Sequence, residues 1–223
     1  MRYQAVIFDL DGVICHTDEY HYMAWKEIAE ELKIPYSQAI NDRMRGIDRM
    51  ASLQVLLEGS NKIFSPEMKE QYANKKNMIY RDFLNNLSPN NLEPDVKETL
   101  DAIRAEGYKM AIGSSSKNTK FILGRLGLDT FFDAVSDGTD VSHAKPNPEV
   151  FLIAAKRMAV NPNACLVVED AISGILAAKA AGMDAAAIGE AGESGLAKYK
   201  LTRLSDLLKI MDAVDKEKTD VEN

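Results

Sequence analysis

The pattern of apolar and polar positions changes character twice along this chain. Residues 4–8, Gln4-Ala5-Val6-Ile7-Phe8, form an unbroken apolar run that stops abruptly at Asp9-Leu10-Asp11-Gly12. A run without alternation predicts a strand buried on both faces. Similar short runs occupy residues 109–113, 164–168 and 184–188, with a weaker one at Ala134-Val135. Amphipathic segments separate them, at residues 94–106, 117–126, 148–158 and 171–181. Strand–helix alternation at this spacing predicts a parallel α/β sheet with helices on both faces.

Residues 17–92 break that rhythm. No strand pattern is present there, and the periodicity is helical. Trp25, Ile28, Ala29 and Leu32 fall at i, i+3, i+4 and i+7, one apolar stripe. Met50, Leu53, Leu56 and Leu57 predict a second stripe, and residues 66–84 a long charged helix. The turn-rich stretch Ser88-Pro89-Asn90-Asn91-Leu92-Glu93-Pro94 marks the return to the α/β pattern. The expected architecture is a Rossmann-like parallel-sheet core, residues 1–15 and 93–223, with an inserted α-helical cap domain over residues 16–92. The polar tail, residues 215–223, is expected to be frayed and solvated.

Composition narrows the function classes. The 223 residues carry 27 Lys and Arg against 34 Asp and Glu, a net charge of −7. That balance argues against a general nucleic-acid binder, which needs a basic face. No apolar run approaches the roughly 18 residues of a membrane span, and the N-terminus does not read as a signal peptide. Cys15 and Cys165 lack metal-type spacing and read as free thiols of a cytoplasmic protein.

In open α/β sheets, ligands bind at the carboxyl ends of the strands. The residues following each predicted strand are therefore informative. They are Asp9 and Asp11; then Ser114-Ser115-Ser116-Lys117-Asn118; then Lys145-Pro146; then Glu169 and Asp170. Each piece alone has an ordinary reading: turn formers, a serine-rich loop, a solvated lysine, a helix cap. Together they place four carboxylates, a lysine and a hydroxyl-rich turn at one edge. One like-charge pair at about 4 Å costs on the order of 4 kcal/mol at an effective dielectric of 20. A hard divalent cation on an all-oxygen site relieves that repulsion, which points to Mg²⁺. Raised carboxyl pKa values share the relief and suit proton transfer. The serine turn enters a helix, where hydroxyls and backbone amides hold phosphate.

These pieces, Asp9-Leu10-Asp11-Gly12-Val13, Ser114, Lys145-Pro146 and Val168-Glu169-Asp170, resemble the motifs of the haloacid dehalogenase superfamily. Within it the chain is similar to the β-phosphoglucomutase subfamily. That closer likeness rests on residues 17–21, Trp25, residues 45–49, Ser52-Leu53 and Lys75-Lys76-Asn77, with the 114–118 loop. The resemblance implies Asp9 as nucleophile and Asp11 as general acid/base. It implies Mg²⁺ held by Asp9, the Asp11 backbone carbonyl, Glu169 and Asp170. Ser114 and Lys145 would bind the transferring phosphoryl group, and Arg49, with Ser116 and Asn118, the non-reacting phosphate. Thr17, His21, Trp25, Arg45, Gly46, Ser52, Lys76, Ser115 and Lys117 complete the implied substrate set. The implied ligand is a small sugar phosphate, and the implied state a monomer.

Alternatives stand beside several of these residues. Thr17 or Asp18 reads equally as the N-cap of the first cap helix. Trp25 reads as core packing and Lys76 as a solvated lysine. His16 and His143 read as surface residues. Ser115 and Arg45 depart from the subfamily's usual residues and could tune the sugar accepted. A sugar-phosphate phosphatase on the same scaffold is the alternative function. A non-catalytic phosphosugar binder would not need the Asp9/Asp11 pair, and a haloalkanoic acid dehalogenase would not need Asp11 or the acidic loop.

Overall fold

A computed structural model describes residues 3–44 and 47–219, with side chains through residue 213. The strands are β1 (Ala5–Phe8), β2 (Lys109–Gly113), β3 (Ala134–Ser136), β4 (Cys165–Glu169), β5 (Asp184–Ala187) and β6 (Tyr199–Lys200). They form one parallel sheet in the order β3-β2-β1-β4-β5-β6. The chain order reverses between β1 and β4, and this switch point leaves a crevice at the strand ends.

The β1 side chains explain why that run lacks alternation. Ala5 and Ile7 enter an apolar cluster on one face with Phe151, Ala154 and Ile175. Val6 and Phe8 enter another on the opposite face with Leu100, Ile122 and Leu207. The first cluster is covered by α7 (Glu149–Arg157) and α8 (Ile172–Ala180). The second is covered by α5 (Pro94–Ala105), α6 (Thr119–Leu126) and α9 (Asp206–Thr219).

Between β1 and α5 the described chain is helical: α1 (Asp18–Leu32), α2 (Gln38–Asp42), α3 (Arg49–Leu57) and α4 (Pro66–Leu84). These helices surround a third cluster that includes Trp25, Ile28, Leu53, Leu56 and Ala73. Met50 departs from the expected stripe: it is 45% exposed and lines the cleft described below. β6 was not expected, because two residues carry no hydrophobic run. α9 also corrects the expectation of a frayed tail from residue 215. Its Leu207 and Met211 are buried, and the helix, once anchored, continues to Thr219. The rest of the tail lies outside the described residues. Among the described residues, no helix is long and apolar enough to cross a membrane.

Candidate active site

β1 delivers Asp9 into the crevice, and its backbone N–H donates to the Val168 carbonyl at 2.9 Å. The chain then turns at Gly12, whose φ of +87° lies in the left-handed region. A Cβ there would stand 2.2 Å from Asp170 Oδ2, so only glycine lets that carboxylate approach the turn. Oxygens of Asp9, Glu169 and Asp170 come within 4.8 Å of one another. Three convergent carboxylates are a donor set of the hard, all-oxygen kind that suits Mg²⁺.

Lys145 is buried at the same point. Its ammonium donates to Asp9 Oδ1 and to Glu169 Oε1, each at 2.5 Å. Burial alone would lower the lysine pKa, but Asp9 and Glu169 outweigh it and raise the value. Lys145 therefore stays charged. Burial pushes the Asp9 carboxyl up, and Glu169, Asp170 and Asp11 act in the same direction, with Lys145 opposing. Glu169 also accepts from the Ala171 N–H at the entrance to α8, so both its oxygens have protein partners.

Asp11 lies two residues further on, half-buried. Burial raises its pKa to about 6, while the Thr17 hydroxyl, which donates to Oδ1, pulls the other way. Thr17 does sit at the N-cap of α1, but its side chain makes no capping bond. The capping alternative therefore describes its place and not its hydroxyl.

The 114–118 loop forms a tight turn. Ser114 Oγ accepts from Ser116 N–H at 3.1 Å, and Ser116 Oγ from Asn118 N–H at 3.2 Å. Ser115 Oγ is buried without a hydrogen-bond partner among the described residues. Asn118 Nδ2 donates to Asn77 Oδ1 of α4 at 2.8 Å, joining the loop to the helical segment.

That segment contributes a wall of basic side chains. Lys76 is 2% exposed, so it is no solvated lysine. Its Nζ lies 2.8 Å from His21 Nδ1, 4.4 Å from the Tyr80 ring centre and 5.1 Å from that of Trp25. Burial lowers its pKa to about 7; Asp11 pulls it up and Arg49 down. Burial, then Lys76, holds His21 well below the usual histidine range, so its ring is neutral. Arg49 starts α3, behind the Asp48 N-cap, whose Oδ1 accepts from Met50 N–H at 2.7 Å. Ser52 donates its hydroxyl to the Asp48 carbonyl at 3.0 Å, within the helix.

One cleft of about 370 Å³ unites these groups. Asp9, Asp11, His21, Trp25, Arg49, Ser52, Lys76, the whole 114–118 loop, Lys145, Glu169 and Asp170 all line it. Thr17 does not itself line it, but bonds Asp11, which does. Arg45 and Gly46 lie outside the described residues. His143 is on the rim and His16 is exposed beside Glu93. Sequence reasoning did not single out Tyr80 or Asn77 as site residues, although both line the cleft. Tyr80 follows Lys76 by four positions and so shares its helix face, while Asn77 carried part of the subfamily likeness without an assigned role.

This sheet, with a carboxylate cluster and a lysine at its switch point, defines an enzyme of the haloacid dehalogenase superfamily. A family model of haloacid dehalogenase-like hydrolases matches residues 3–182, and the chain belongs to that family. Among particular proteins, it is 39% identical over 206 residues to the β-phosphoglucomutase of Bacillus subtilis, covering 92% of this chain and 91% of that one. The crystal structure of β-phosphoglucomutase from Clostridium difficile superposes with a TM-score of 0.90 at 34% identity, covering 97% and 99% of the two chains. The fructose-1-phosphate phosphatase of Escherichia coli is 35% identical over 188 residues, 82% of this chain and 95% of that one.

Proposed function

We propose that the chain is a β-phosphoglucomutase, interconverting β-D-glucose 1-phosphate and glucose 6-phosphate through β-glucose 1,6-bisphosphate. In this reading residues 16–92 act as a cap over the cleft. The observation that supports it is that basic side chains from different elements line one cleft: Lys145, paired with Asp9, and Arg49 on the helical segment, which in this reading serve as two phosphate anchors. A bisphosphate that must bind in two orientations needs two phosphate sites, and a hydrolase of monophosphates needs one.

Asp9 attacks phosphorus, forming an aspartyl phosphate as the bond from phosphorus to the sugar oxygen breaks. Asp11 gives its proton to that oxygen. In the return step Asp11 takes the proton of the attacking sugar hydroxyl, and the phosphoryl group leaves Asp9. A carboxyl with a pKa of about 6 is populated in both forms near neutrality, as such a shuttle requires. Lys145 neutralises charge on Asp9 and on the phosphoryl oxygens, the dominant demand in phosphoryl transfer. Asp9, Glu169, Asp170 and the Asp11 carbonyl would hold Mg²⁺, which supplies further positive charge against those oxygens. Arg49 with Ser116 and Asn118 would grip the other phosphate, and His21, Trp25 and Lys76 would face the sugar.

The decisive experiment supplies purified protein with β-glucose 1-phosphate, Mg²⁺ and a trace of the bisphosphate, and measures glucose 6-phosphate and free phosphate together. Formation of glucose 6-phosphate supports the mutase. Release of free phosphate without it overturns the mutase in favour of a sugar-phosphate phosphatase, the activity named for the Escherichia coli relative.

A further inference from the structure

The loop after β3 is held by contacts that none of the roles above uses. Asp137, 2% exposed, accepts at Oδ1 from the Thr139 N–H at 2.8 Å and the Thr139 hydroxyl at 2.5 Å. Its own N–H donates to Asp140 Oδ2 at 3.0 Å, and Asp140 N–H returns a bond to the Asp137 carbonyl at 2.9 Å. Arg157 of α7 then grips Asp140 with both terminal nitrogens, each at 2.7 Å, and donates a third bond to the Val135 carbonyl. The Asp140 carboxyl is accordingly held down to about 2, chiefly by its hydrogen bonds from Arg157.

This small cage is pressed against the phosphate loop. Gly138 N–H donates to the Ser116 carbonyl at 3.1 Å, and Thr119 Oγ1 donates to the same oxygen at 2.9 Å. A Cβ on Gly138 would stand 2.4 Å from the Ser115 carbonyl oxygen, so the two backbones meet without room for a side chain. Lys120 of α6 lies 3.9 Å from Asp137 Oδ2. With the Ser116 carbonyl pinned from two sides, the planar trans peptide also fixes the direction of the Lys117 N–H.

We propose that Arg157, Asp140 and Asp137 are positioning residues that brace the 114–118 loop, through Gly138, in the geometry that grips the substrate's non-reacting phosphate. The proposal rests on the reading that this loop binds phosphate. Arg157 is 41% exposed in its side chain, while the Asp140 carboxylate it grips is only 16% exposed. The value of the brace to the site lies in where it holds the Ser115 and Ser116 carbonyls.

The test compares Arg157→Met, Arg157→Lys, Asp140→Asn and Ser116→Ala, with turnover of β-glucose 1-phosphate and hydrolysis of p-nitrophenyl phosphate measured for each. The second substrate has no second anchor point. Displacing a gripping loop should raise the KM for the sugar phosphate about tenfold in Arg157→Met and Asp140→Asn. Hydrolysis of the small ester should stay near wild type, and Arg157→Lys should recover part of the loss. If Ser116→Ala raises KM and Arg157→Met does not, the brace is overturned while the phosphate-loop reading stands. If Ser116→Ala leaves KM unchanged, that reading fails and the brace with it. Equal losses for both substrates together with a fallen Tm would mark the cage as merely structural and overturn the proposal.

Discussion

Thr17 occupies the N-cap position of α1 but gives its hydroxyl to the carboxylate of Asp11. The first residue of the helical segment thus touches the proposed proton-transfer group directly. Thr17 is fully buried, so Thr17→Val keeps the shape and removes the donor. Asp11 then loses the bond that lowers its pKa and fixes its rotamer. We expect turnover to fall by about 10- to 100-fold, up to the lower end of general acid–base contributions because Asp11 itself remains, while Thr17→Ser stays near wild type. Steady-state kinetics on the three proteins checks this. Wild-type turnover in Thr17→Val would leave the hydroxyl with a packing role only.

Lys145 is the positive charge between two buried carboxylates, and removing one member of a buried ion pair costs roughly 3–5 kcal/mol. Lys145→Met should therefore be both inactive and less stable. The repulsion it leaves among Asp9, Glu169 and Asp170 is the kind a divalent cation relieves. Thermal melts in Mg²⁺ and in EDTA should show a larger Mg²⁺-dependent rise in Tm for the variant than for wild type. No rise in either protein would mean that the cation does not bind at these carboxylates, and an equal rise in both would mean that Lys145 does not share their charge with the cation.

Lys76 gives a pH-dependent prediction whose sign follows from the direction of its shift. Its pKa in the fold, about 7, lies below the ordinary 10.5 because burial disfavours the charge. Between those values the unfolded chain binds a proton that the native state does not. Native stability therefore rises with pH across that window, and the gain is lost as pH falls towards 7. Chemical denaturation at several pH values should show wild type gaining on Lys76→Met between pH 7.5 and 9.5, at most by about 1.4 kcal/mol per pH unit. His21, Asp11 and Arg49 remain in the variant, so the difference isolates Lys76. A pH-independent difference would mean that Lys76 stays charged in the fold.

Much of this was readable before the structure. Ala5 to Phe8 announced a doubly buried strand because both faces of β1 are apolar, and the chemistry after each strand followed from the parallel topology. The long helix over residues 66–84 was legible with its ends. Other relationships were hidden for physical reasons. Met50 falls on an apolar stripe by spacing, yet the cleft claims its side chain. The pairing of Glu169 with Lys145 joins residues 24 positions apart across two strands, which no local pattern records. The cage of Asp137, Asp140 and Arg157 consists of charged residues that in sequence resemble any solvated surface.

Gly174 was likewise invisible to pattern reasoning, and it sets two effects of opposite sign against each other. It lies within α8, where alanine is favoured over glycine by about 1 kcal/mol. A Cβ there, however, would stand 1.8 Å from Glu169 Oε1, the oxygen that accepts from Lys145. Glu169 would have to leave its place and break a buried ion pair, at a cost of roughly 3–5 kcal/mol. Gly174→Ala should therefore destabilise by a few kcal/mol and depress turnover through Lys145, although propensity alone predicts stabilisation. The double variant Gly174→Ala with Glu169→Gln should cost less than the sum of the two single changes, since both act on the same contact. Chemical denaturation of the single and double variants measures the cycle. A more stable Gly174→Ala protein would show that Glu169 relocates freely and does not hold Lys145.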